Sequence, residues 1–113
     1  MDWKDEPVAV MFSVTKGDLW DAVFGCPLET AYSHWERINV KDDRATVWAN
    51  DVLGGVVVRR KHITPEHLAR AFSAVLAEKE PQCCDPFPSV LSQWDYCCAD
   101  TVLQYLLFGR RVF

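Results

Sequence analysis

A chain of 113 residues, half of them hydrophobic and a quarter charged, has the balance of one globular domain, which excludes a disordered segment. Its formal charge of -4 excludes the global basic footprint of a typical nucleic-acid binder, and no apolar run approaches the length of a membrane span. The acidity is concentrated, since residues 1–54 hold five Lys/Arg against ten Asp/Glu and residues 55–113 hold seven against six. The N-terminus opens on acidic residues, unlike a secretory leader. A cytoplasmic setting is therefore expected, with the cysteines as reduced thiols.

In chain order, residues 8–14 are continuously apolar and rich in Val and Phe, which predicts a single buried strand. Thr15 with Asp18 makes a variant capping box for a short helix. Leu19, Trp20, Val23 and Phe24 share one side of that helix, and Gly25 ends it. Gly17 inside it is a cost of roughly 1 kcal/mol against alanine. Residues 32–40 fit a helical turn and a strand equally well. Residues 44–49 alternate as a strand after an Asp42-Asp43 turn. Gly54-Gly55 predicts a tight turn into a returning strand over 56–61. Thr64 as N-cap with Pro65 at the first helical position starts an amphipathic helix. Leu68, Ala71, Phe72, Val75 and Leu76 form its apolar side. Ile63 is placed to staple onto Leu68, and Glu66 with Arg70 forms an i,i+4 pair. Pro81 ends this helix, and residues 83–89 form a loop.

The last helix is predicted from Asp95, which can accept the unpaired first-turn amides, to Gly109, which can adopt a left-handed C′ conformation. Cys98, Ala99, Val102, Leu103, Leu106 and Leu107 make a continuous apolar stripe. The other side carries Asp100, Thr101, Gln104, Tyr105 and Phe108, where a solvated face would carry lysines and glutamates. This helix is expected to make contacts on both sides. Residues 110–113 form a tail.

The order of a Trp35 segment, a hairpin, the Ile63-Thr-Pro-Glu-His-Leu68 helix start and a terminal Asp-Thr-Val-Leu-Gln-x-x-x-Phe-Gly run ending at Gly109 resembles short proteins encoded by tailed bacteriophages and prophages. The likeness covers about the last two-thirds of the chain. The chain departs from that pattern at Ala99, where a glycine is expected, and at Arg110-Arg111 and Phe113, where an acidic residue and a Tyr-Gly ending are expected. The resemblance implies an origin and brings no assigned chemistry with it.

Chemistry-bearing groups are sparse. Cys83-Cys84 and Cys97-Cys98, with His34, His62 and His67, invite a zinc site, but adjacent cysteines lack the Cys-x2–4-Cys spacing that wraps a tetrahedron. Cys98 is read as a small core hydrophobe and Cys97 as a boundary residue. No metal and no cofactor is expected. Cys26 and His34 could be drawn as a dyad, yet no local signature surrounds them, so a helix-end thiol and a loop histidine are preferred. Gly-x-Gly-x-x-Gly, phosphate-loop and His-Glu-x-x-His motifs are missing, and no catalytic residue is assigned. Asp42-Asp43 and Asp18 with Asp21 are turn and cap acids. Arg59-Arg60-Lys61-His62 could contact nucleic acid beside Trp48. Alternation would split the cluster between two faces, however, and a charged edge strand is the preferred reading.

The expected fold is α+β, a small antiparallel sheet with the two main helices packed on one face, in a single domain over 1–113. The expected function is that of a non-enzymatic, phage-encoded binding protein that occupies a surface of a host protein or complex, such as a defence nuclease or CRISPR complex. Asp100, Gln104, Tyr105 and Phe108, with Trp35 and Trp48 as anchors, are the expected partner-binding residues. Nucleic acid and membrane are not expected partners. The alternatives are a homo-oligomer that buries the second face of the last helix against its own mate, and a small thiol or zinc enzyme.

Overall fold

The computed structural model describes residues 3–8, 11–50, 57–77, 91, 94 and 96–110. After a 3₁₀ turn over Trp3–Asp5, the strands β1 (Pro7–Val8) and β2 (Met11–Thr15) pair antiparallel, with Pro7 opposite Thr15 and Val8 opposite Met11. The predicted single strand over 8–14 is thus corrected to two short strands folded on each other. A run with Ser13 as its one polar residue and no Gly, Pro, Asn or Asp does not signal that reversal. Val8 and Val14 are both buried.

Helix α1 (Lys16–Phe24) begins as its sequence predicts, with the Thr15 hydroxyl accepting the Asp18 amide proton at 3.1 Å. Lys16 Nζ donates to Glu6 and to Glu66, each at 2.8 Å. These hydrogen bonds hold the Lys16 ammonium above its ordinary range and the Glu66 carboxyl below its own. Gly17 has a specific reason to be in the helix: a Cβ there would meet the Cβ and carbonyl oxygen of Lys4 at 2.8 Å. Gly17→Ala should therefore lose about 1–2 kcal/mol through overpacking, overriding the ~1 kcal/mol that alanine normally gains inside a helix. Urea denaturation would check this, and a net gain in stability would mean that the turn at Lys4 does not press on α1. The one-turn helix α2 (Leu28–Ala31) follows.

Strands β3 (Trp35–Lys41), β4 (Arg44–Asn50) and β5 (Val57–Ile63) form an antiparallel sheet in sequence order. Residues 35–41, which the residue pattern left open, are strand because they pair along β4, Ile38 opposite Val47 and Lys41 opposite Arg44. Asp42 takes a positive φ of 54° in the two-residue turn, as such hairpins require. The predicted turn at Gly54-Gly55 lies outside the described residues. On β4, Ala45, Val47 and Ala49 are buried while Arg44, Thr46, Trp48 and Asn50 alternate outward. An extra residue on β5 between the partners of Val47 and Ala45, with His62 at φ 58°, makes a bulge. It returns Ile63 to the core side after Arg60.

Helix α3 (Pro65–Ala77) carries a reciprocal cap. The His67 amide donates to the Thr64 hydroxyl at 3.2 Å and the Thr64 amide to His67 Nδ1 at 3.1 Å, so a histidine does the work usually given to glutamate. Ile63 and Leu68 are both fully buried, as the predicted staple requires, and Glu66 approaches Arg70 at 3.5 Å. The predicted stop at Pro81 and the loop over 83–89 lie outside the described residues. Phe72 packs edge-on against Trp94.

Helix α4 (Tyr96–Phe108) runs through the middle of the domain, against α1, α2 and α3. Its predicted cap, Asp95, lies outside the described residues. Gly109 ends it at φ +72°, its amide donating to the Tyr105 carbonyl. Every residue from Cys98 to Leu106 is buried, the condition of a helix packed all round. The architecture is α+β, with two antiparallel sheets and helices packed against them.

Candidate functional site

The expected docking face on α4 is corrected by this burial. Asp100, Gln104 and Tyr105 lie in the interior, at 3%, 0% and 7% exposure, and only Phe108 is half-buried at the helix end. Trp35, expected as an anchor, is also inside. These residues instead form one internal network. Asp100 Oδ1 accepts from His34 Nε2 at 2.6 Å and from Trp35 Nε1 at 2.5 Å, and Oδ2 accepts from Gln104 Nε2 at 2.7 Å. The carboxylate is thus tied to the start of β3 and to the next turn of its own helix. His34 stacks on Tyr32, and its backbone carbonyl accepts the Asn50 amide. A buried carboxylate is tolerated only with such partners. The arrangement works as a brace between helix and sheet.

The thiol and metal readings find these surroundings. Cys26 Sγ donates to the Ala22 carbonyl at 3.0 Å. Burial pushes its thiol pKa up, opposite to what a nucleophilic thiolate needs. Cys98 is buried in α4 and Cys97 half-buried beside it, while Cys83-Cys84 lie outside the described residues. Among the described residues no three His, Cys, Asp or Glu side chains are grouped to share a metal ion.

The accessible chemistry is on the outer face of the three-stranded sheet. Partners across an antiparallel ladder share a face, so the register places Arg37, Trp48 and Arg59 in one row across all three strands. Asn39 and Thr46 make the next row, with Lys61 beside them on the bulged strand, and Lys41 and Arg44 the last. Arg37, Lys41, Arg44, Arg59 and Lys61 are all exposed. They are five of the twelve Lys and Arg of an acidic chain, concentrated where one surface can use them. The Arg37 guanidinium lies 5.1 Å from the centre of the half-buried Trp48 ring. Arg44 bridges Asp43 at the turn; Lys41, Arg59 and Lys61 face no carboxylate among the described residues. The predicted split of the basic cluster holds, because Arg60 turns to the helix side and donates to the Leu106 carbonyl at 2.9 Å.

Arg37, Lys41 and Arg44 escaped the sequence reading, although 37, 39, 41 and 44, 46, 48 alternate regularly. The signal was there once 35–41 is known to be a strand. Fold and face together define a small α+β domain with one sheet surface open and cationic. No family model, curated protein or solved structure matches the chain. No helix among the described residues is long and apolar enough to cross a membrane.

Proposed function

We propose that this chain is a non-enzymatic binding protein that acts by laying the open face of its β3–β4–β5 sheet over an acidic surface of a protein partner. The carrying observation is the collection of five exposed cations around Trp48 in a chain of charge -4. Such a local field steers encounter with an acidic patch and is weakened by salt. Trp48 favours a protein over nucleic acid: its ring is taken up by Arg37, so it orients a guanidinium for bidentate carboxylate pairing and is not a bare platform for bases. The resemblance to phage-encoded chains suggests a host protein or complex as the partner, a defence assembly among them, covered by surface occlusion.

The test is affinity capture from lysate of the native host, with and without nuclease treatment, with the unaltered chain beside an Arg37→Glu/Arg59→Glu variant whose fold is checked by circular dichroism. A protein retained by the first should be released by moderate salt and bound about 10–100-fold more weakly by the variant. Equal retention by the variant, loss of capture on nuclease treatment, or no captured protein would each overturn the reading.

A further inference from the structure

On the helix side of the sheet, β5, α3 and α4 leave a cleft of about 250 Å³. Its polar lining is made of Arg60, His67, Arg70 and Tyr105, and its apolar wall of Ala71, Ala74 and Leu106. That volume lies below the range of drug-sized pockets, yet it offers more room than a bare oxyanion needs. The polar groups are biased to donation. Two are guanidiniums, which have no acceptor atom. His67 Nδ1 accepts the Thr64 amide proton, which places the hydrogen of a neutral ring on Nε2 and makes that nitrogen a donor. No lining side chain is a carboxylate. Glu66 acts on His67 from beside the cleft, with its Oε2 held by Lys16 at 2.8 Å while Oε1 reaches Arg70 Nε only at 3.5 Å. Arg70 is exposed and loosely tied, free to turn toward the cleft.

The electrostatics agree with this geometry. Burial lowers the His67 pKa, and the Arg60, Arg70 and Arg44 guanidiniums lower it further against the opposing pull of Glu66. Positive charge from β4, β5 and α3 therefore converges on one imidazole, with Tyr105 of α4 as the remaining titratable neighbour.

We infer that this cleft binds a small phosphate monoester, its phosphate on the Arg60–His67–Arg70 edge and its organic part against Ala71, Ala74 and Leu106. A dianion with three terminal oxygens matches donors arriving from separate elements better than a planar carboxylate does. The inference is independent of the sheet-face function, since the two surfaces lie on opposite sides of the sheet.

Binding carries a proton linkage with a definite sign. In the empty domain His67 sits below its unfolded value, so it costs stability as pH falls below about 6.5, where the unfolded chain takes the proton first. A bound phosphate offsets the guanidinium repulsion and raises the His67 pKa. Proton uptake then accompanies binding.

The experiment is an NMR titration of the His67 ring in the full chain with phenyl phosphate, inorganic phosphate, benzoate and matched sodium chloride. Phenyl phosphate should saturate, shift the His67 and Tyr105 resonances, raise the His67 pKa by about one unit, and bind more tightly than the other three. Arg70→Gln, an exposed change that leaves the fold intact, should weaken it roughly tenfold; Arg60→Gln should do the same, its folding checked by thermal melting. An unmoved His67, equal shifts with sodium chloride, or Arg70→Gln binding unchanged would overturn the site. Benzoate binding as tightly would overturn the phosphate assignment, and inorganic phosphate binding as tightly would overturn the monoester in favour of free phosphate.

Discussion

Asp100→Ala is expected to destabilise the domain by about 3–5 kcal/mol, because it removes at once the acceptor of two buried donors and one half-buried donor. Against a total stability on the order of 5–15 kcal/mol, that is enough to unfold a marginal domain. The donors are His34 Nε2, Trp35 Nε1 and Gln104 Nε2, and alanine removes the carboxylate that accepts from all three. Asp100→Asn should be far milder, at about 1–2 kcal/mol. Its carbonyl oxygen can still accept from His34 and Trp35, and Gln104 can turn its own carbonyl toward the new amide. Guanidinium denaturation of the two variants checks the ranking. If alanine is tolerated to within about 0.5 kcal/mol, the ordinary range for a surface change, the carboxylate is not the brace described.

The second large effect is at Trp35. Its ring is 1% exposed and among the largest fully buried side chains, so Trp35→Ala should cost about 3–5 kcal/mol in transfer and cavity terms. Trp35→Phe keeps much of the volume but loses the indole donor and part of the ring, for about 1–3 kcal/mol. Combined with Asp100→Ala, which removes the shared acceptor, in a double-mutant cycle, it should show coupling of about 0.5–3 kcal/mol, since the two side chains share a hydrogen bond. This also separates the two readings of the residue. A core tryptophan loses stability when cut back and leaves affinity untouched in the surviving fold, whereas an interface anchor would do the reverse. A Trp35→Ala domain of unchanged melting temperature would contradict its place in the core.

The first of these residues, Asp100, belongs to the set whose types mark α4 as unusual before any coordinates exist. Asp100 and Gln104 stand one turn apart on a side without lysine or glutamate, which correctly indicates that the side is in contact. The natural inference from polar groups, contact with another molecule, fails because Asp100 is partnered by His34 and Trp35, 66 and 65 residues earlier in the chain, and Gln104 by Asp100 itself. A polar residue is read as exposed by default, and only distant donors reverse that.

The functional surface shows the converse. Arg59 and Lys61 were visible as part of a basic run, and Trp48 as its neighbour on a facing strand. Arg37, Lys41 and Arg44 joined them only when residues 35–41 proved to be strand, since the surface is one side of three strands and no single strand displays it. Its opposite side was legible, with Ala45, Val47 and Ala49 alternating inward.

What the amino-acid order determined unaided is local: the Thr15 and Thr64 caps, the left-handed stop at Gly109, the amphipathic side of α3 and the β4–β5 pairing. Each rests on groups a few residues apart or on a short-period pattern, so nearby atoms suffice to set it. Tertiary structure decided which sides of those elements meet protein and which meet water. It buried the mixed side of α4, split the apolar run over 8–14 into a pair of strands and assembled the cationic sheet face. Those outcomes depend on side chains far apart in the chain arriving at one place, which a periodicity along one segment does not encode.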